Sequence, residues 1–87
     1  MYYAYIVTVA NDLDASDIPL SYNFTNGHSI RVIFTAASQK TVTINHNATY
    51  GICPNAENLT LTIPAGGFVE VTFMKANDKI YVIPNKY

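Results

Sequence analysis

The sequence predicts an all-β fold, a small antiparallel β-sandwich or jelly-roll-like domain of seven or eight short strands. Three observations predict it. No segment carries apolar residues at helical spacing over three turns. Short runs instead alternate apolar with polar residues, the period of a strand with one buried face. Turn residues punctuate those runs at intervals too short for helices. At 87 residues the chain is one domain, residues 1–87, with no room for a second.

The elements follow in order. Residues 4–9 form a strand with Tyr5, Val7 and Val9 on one face and Ala4, Ile6 and Thr8 on the other. Residues 11–19 (N-D-L-D-A-S-D-I-P) are polar and turn-rich and read as a loop, with Pro19 keeping Ile18 extended. Asn26-Gly27, between the runs 21–25 and 29–35, is a hairpin signal, because a type I′ turn needs positive φ at both positions. In the second of those runs Ile30, Val32 and Phe34 share a face, with Arg31 and Ile33 behind them. Residues 36–39 connect to a strand at 40–45, where Val42 and Ile44 alternate with threonines. Residues 46–56 are irregular, with a short strand at 50–53. Leu59, Leu61 and Ile63 then alternate with Thr60 and Thr62. The P-A-G-G run at 64–67 breaks that strand from the next, since proline cannot donate to a ladder. There Val69, Val71 and Phe73 alternate with Glu70, Thr72 and Met74. Residues 76–78 turn the chain into a last strand at 79–83, which Pro84 ends.

Three of these strands are apolar on both faces: 4–9, 30–34 and 80–83. A strand buried on two faces needs a cover for each, and the sequence supplies no helix to cover a second one. Composition points the same way. Apolar residues make up 49% of the chain and charged residues 13%, against about 25% charged in ordinary soluble domains. The excess apolar surface is expected to meet another subunit or another protein. Scattered surface apolar residues, common in all proteins, are the plainer alternative. The seven tyrosines are weighed in three ways: as interface residues, as strand formers, and as rings that stack on sugars. The interface reading ranks first, and its candidate residues are Tyr2, Tyr3, Tyr5, Ile6, Tyr81, Ile83 and Tyr87.

Other function classes fare poorly. A net charge of −1 disfavours nucleic-acid binding through bulk charge, and the five basic residues are scattered. One cysteine excludes a disulfide framework within the chain. Residues 1–9 show no basic leader, and no run approaches the roughly 18 apolar residues that cross a bilayer, so we expect synthesis in a reducing cytoplasm and no membrane partner. The N-x-T triplets at Asn23, Asn47 and Asn58 are what nine asparagines and nine threonines produce by chance. Nucleophilic catalysis would need Cys53 beside His28 or His46 and an orienting third group, and no such signature surrounds Cys53. Gly66-Gly67 lies between strands, so it is a turn and no phosphate loop. Two histidines and one cysteine lack the local pairs of a zinc site. Asp12, Asp14 and Asp17 form the one oxygen-rich cluster; it lacks the glycine and closing glutamate of a calcium loop and reads as solvated. No enzyme activity, metal or cofactor is expected.

The run 58–75 (N-L-T-L-T-I-P-A-G-G-F-V-E-V-T-F-M-K), followed by 78–84 (D-K-I-Y-V-I-P), resembles small β modules of tailed-phage virion proteins. The runs 27–35 (G-H-S-I-R-V-I-F-T) and 40–45 (K-T-V-T-I-N) match their lead-in. Such modules occur in auxiliary or decoration capsid proteins and in head and tail fibres, including those of crAss-like phages. The resemblance covers residues 27–84 and is one of pattern: a threonine ladder, the I-P-A-G-G turn, then an aromatic strand. It implies a structural protein on the virion, bound to the major capsid protein or other virion proteins, as a homo-oligomer or in many copies. It carries over no catalytic residue. A fibre or carbohydrate-binding module that recognises a cell surface is the alternative it leaves.

Overall fold

A computed structural model describes residues 2–15, 26–49 and 51–85, with residues 2–4 and 13–15 described by backbone alone. Among the described residues eight strands form two sheets. In chain order they are β1 (Tyr2–Thr8), β2 (Leu13–Ala15), β3 (Ser29–Thr35), β4 (Lys40–Ile44), β5 (Gly51–Ile52), β6 (Leu59–Ile63), β7 (Phe68–Ala76) and β8 (Lys79–Asn85). The larger sheet has five strands in the order β1-β3-β7-β8-β5, and the smaller has three in the order β2-β4-β6. The all-β, sandwich-like fold expected from the alternation is therefore the one observed.

The alternating positions supply the core. Ile30, Val32 and Phe34 of β3, Val71 and Phe73 of β7, and Ile80 and Val82 of β8 point inward from the larger sheet. Val42 and Ile44 of β4 and Ile63 of β6 meet them from the smaller one. Val9, Ala36 and Cys53, from the connections, fill the ends. Among the described residues no polar or charged residue is buried and no buried side-chain polar atom lacks a partner. The core is dry, and its stabilisation comes from area and packing. The radius of gyration, 12.5 Å, is close to the roughly 12 Å of a compact chain of this length.

Two positive-φ sites shape the larger sheet, one a hairpin turn and the other a bulge. Asn77 and Asp78 have φ of 54° and 61° and join Ala76 to Lys79, the two-residue primed turn that matches strand twist. Gly27, at φ 93°, donates its N–H to Lys75 O at 2.7 Å, while Lys75 N–H returns to His28 O at 3.0 Å. Gly27 and His28 thus oppose the single residue Lys75, a β-bulge whose first residue needs positive φ. The expected strand at 21–25 lies outside the described residues.

Local patterning misses some of the organisation. Three edge pairs are parallel: β1 with β3, β2 with β4, and β5 with β8. Alternation reports which face is buried, and strand direction leaves no trace in it. The polar stretch 11–19 is not wholly loop, because Leu13–Ala15 pairs with Val42–Ile44 as β2. Three residues are too few to show a period. Just before them, Asp12 Oδ1 accepts the Thr41 N–H at 2.9 Å and fixes the register of β2 beside β4. Pro84 does not end the last strand; β8 continues to Asn85, with Pro84 in register with Val71. Neighbouring β5 reaches only Ile80 and Tyr81, so at Pro84 one side of β8 has no ladder to break.

The packing predicts a contrast between two isoleucines. Ile63 is fully buried between the sheets, whereas Ile6 is 72% exposed. Ile63→Ala should cost about 2–5 kcal/mol, most of the stability of a small domain. Ile6→Ala should stay within about 0.5 kcal/mol. Urea denaturation of both variants measures this, and equal losses would overturn the assignment of faces.

Candidate functional site

The inner face of the larger sheet is filled by the core, and among the described residues no element covers its outer face. The registers place side chains there in rows across the strands. Ile6, Ile33, Glu70 and Asn85 form one row, and Arg31, Thr72 and Ile83 form the next. Ser29, Met74, Tyr81 and Ile52 form a third. Of the five exposed large hydrophobic residues among the described ones, four belong to this face: Ile6, Phe68, Met74 and Ile83. Ile52, Met74, Tyr81, Ile83 and Pro84 line an open apolar depression of about 470 Å³ beside β5.

A polar strip divides the apolar ends. Glu70 Oε1 lies 3.1 Å from Arg31 Nε and accepts a hydrogen bond from Asn85 Nδ2 at 2.6 Å. Asn85 Nδ2 also reaches Thr72 Oγ1 at 2.9 Å. The glutamate side chain is only 12% exposed and the arginine 44%. With one partner so open to water, the ion pair adds little stability. Its effect is to fix donors and acceptors at set positions between two apolar ends of the face.

The expected interface residues fall into three groups. Ile6, Tyr81 and Ile83 stand on the outer face. Tyr5 is in register with core residue Val32, so it turns to the inner side at the sheet edge and keeps 38% exposure. Tyr2 and Tyr3 run in β1 opposite Ser29 and Ile30, and their side chains, like Tyr87, lie outside the description. Met74 and Phe68 join the surface without having been singled out. The signal was there for Met74, which alternates with Phe73 on the face expected to be wet. Phe68 opens β7, where a strand's period is hardest to assign.

The candidate reactive groups have structural tasks. His46 Nδ1 accepts the Cys53 backbone N–H at 3.1 Å, and the Cys53 thiol points elsewhere, donating to Ile44 O at 3.7 Å. A base that faces the main chain of its supposed nucleophile cannot take the thiol proton. Burial pushes the Cys53 thiol up from its ordinary pKa, and a backbone hydrogen bond from Leu59 pulls weakly the other way. Asn58 Oδ1 accepts the His46 N–H at 3.0 Å, and Asn47 Oδ1 accepts the Thr49 N–H at 2.9 Å, so both side chains organise the irregular segment after β4. The carboxylate of Asp12 holds Thr41; the Asp14 side chain and Asp17 lie outside the description. Among the described residues no three His, Cys, Asp or Glu side chains gather around a metal-sized space. No helix among the described residues is long and apolar enough to cross a membrane.

The thiol's raised pKa has a testable sign. A group whose folded pKa exceeds its unfolded one stabilises the fold below the unfolded value, and loses that contribution as pH rises through the folded value. The stability gap between the natural chain and Cys53→Ala should therefore narrow between about pH 8 and pH 10. Urea midpoints at the two pH values measure it, and a widening gap would contradict the burial. Compared with known proteins, the chain matches no family model, no curated protein and no solved structure.

Proposed function

We propose that this chain is a structural virion protein, an auxiliary protein that binds the outside of a phage capsid through the outer face of its five-stranded sheet. One observation carries the reading. Ile6, Phe68, Met74 and Ile83, from three different strands, keep 38–72% of their surface on one sheet face. Apolar side chains concentrated on one side of a small domain mark a surface that meets another protein. The resemblance of residues 27–84 to β modules of tailed-phage virion proteins supplies the kind of partner, the major capsid protein or a neighbouring virion protein.

The mechanism is area with a polar key. The strands of the larger sheet are 7, 7, 9, 7 and 2 residues long, and at about 3.3 Å per residue and 4.8 Å between strands they span about 500 Å² of face. A standard stable interface takes about 800 Å² from each partner. The face therefore contributes most of one standard contact, and its rims or a neighbouring copy complete it. Many copies bridging adjacent capsid subunits fit that arithmetic, with the protein made in the host cytoplasm and residing on the particle. The Arg31–Glu70–Asn85 strip sets the orientation. A sugar-binding module would gather tyrosines along one groove, whereas Tyr5 and Tyr81 face opposite sides of the same sheet.

Co-sedimentation with purified capsids tests the reading. Met74→Lys or Ile83→Lys should weaken binding by at least about tenfold with little change in melting temperature. Thr60→Lys, on the outward side of the smaller sheet, should leave it intact. A natural chain that sediments as a monomer and ignores capsids contradicts the proposal, as does equal loss from all three variants. Hits on a glycan array, abolished by Tyr81→Ala, would replace it with the cell-surface reading.

A further inference from the structure

We propose that Asn26 is a latent modification site, a succinimide-forming asparagine that a clamp between two turns keeps unreactive. Asn26-Gly27 is the pair most open to this chemistry, because glycine adds no side chain to crowd its own nitrogen. Here nothing lies within 4 Å of where a Gly27 Cβ would stand. The reaction needs only water. The Gly27 nitrogen attacks Asn26 Cγ, the Cγ–Nδ2 bond breaks, and ammonia leaves carrying the displaced amide proton. Water then opens the cyclic imide at either carbonyl, leaving aspartate or isoaspartate at position 26.

Three hydrogen bonds oppose that path. Asn26 Nδ2, the leaving group, donates to Asp78 Oδ1 at 3.2 Å. Asn26 Oδ1, which must swing for the ring to close, accepts the Asp78 backbone N–H at 3.0 Å. The nucleophile itself, the Gly27 N–H, is held by Lys75 O at 2.7 Å within the bulge. Asp78 is presented by a rigid turn, since it and Asn77 both sit at positive φ. Residues 52 positions apart in sequence thus hold the side-chain amide at both its atoms. Only half of the clamp can re-form after reaction. A carboxylate at position 26 can still accept the Asp78 N–H but has no proton to donate to the Asp78 carboxylate that it then faces, and the net charge falls from −1 to −2.

Mass spectrometry of the ageing protein tests this, with isoaspartate scored by enzymatic methylation and the site located by peptide mapping. At about 37 °C and pH 8, the folded natural chain should gain its roughly 1 Da at position 26 at least about tenfold more slowly than the same chain in urea. Asp78→Ala, which removes the acceptor for Nδ2, should react at least about threefold faster than the natural chain while folded. Gly27→Ala should slow the reaction in urea, assigning it to this pair. Equal rates in the folded and denatured natural chain overturn the proposal, as do equal rates for folded Asp78→Ala and the natural chain. Should Asp78→Ala fail to fold, the comparison of folded and denatured natural chain decides alone.

Discussion

A three-stranded sheet can cover only one face of a five-stranded one, and that mismatch governs the rest of the molecule. β4 and β6 bring Val42, Ile44 and Ile63 against the inward side chains of β3, β7 and β8, and the described residues form a dry core there. Nothing among the described residues remains to lie on the far side of β3, β7 and β8. Ile33, Met74, Tyr81 and Ile83 therefore stand on a surface instead of in a second core. The composition has the same origin. A chain that is half apolar and sparsely charged has placed its surplus on one face of one sheet.

That face is more than a greasy surface. Evenly apolar sheets stack in many registers, and an assembly built on one would be poorly defined. The Arg31–Glu70–Asn85–Thr72 network interrupts the apolar rows with fixed donors and acceptors. Mismatching them on docking would leave a half-buried carboxylate or guanidinium short of a partner, which costs far more than a matched pair gains. In the proposed assembly the network would add specificity where it adds little stability. At the end of the sheet by the β7–β8 turn, Asn26 and Asp78 tie two turns together and hold the frame of β3, β7 and β8 in register.

Much of this was legible in the sequence. The alternation of Val42 and Ile44 with threonines, and of Val71 and Phe73 with Glu70 and Thr72, gave each strand its inward face without ambiguity. Residues 30–34 and 80–83 are apolar on both sides; Ile30, Val32, Phe34, Ile80 and Val82 turn into the core, and Ile33, Tyr81 and Ile83 turn outward. Strand direction was not legible. β1 beside β3 and β5 beside β8 run parallel through long connections, and only tertiary packing chooses that arrangement. β2 is set by the Asp12–Thr41 hydrogen bond and its neighbour, with no period of its own. Of the candidate surface residues, Ile6, Tyr81 and Ile83 were found from their place in apolar strands. Tyr5, which alternation sets on the face opposite Ile6, lies on the inner side at the sheet edge, in register with Val32.

The central claim is that the outer face of the five-stranded sheet is buried in the functional assembly. Hydroxyl-radical footprinting of the protein free and bound to capsids tests it most directly, because methionine oxidises readily wherever it is accessible. Met74, exposed in the free chain, should be oxidised about tenfold more slowly in the bound state, with Tyr81 protected alongside it. Oxidation of Met74 at the same rate in both states would contradict the account.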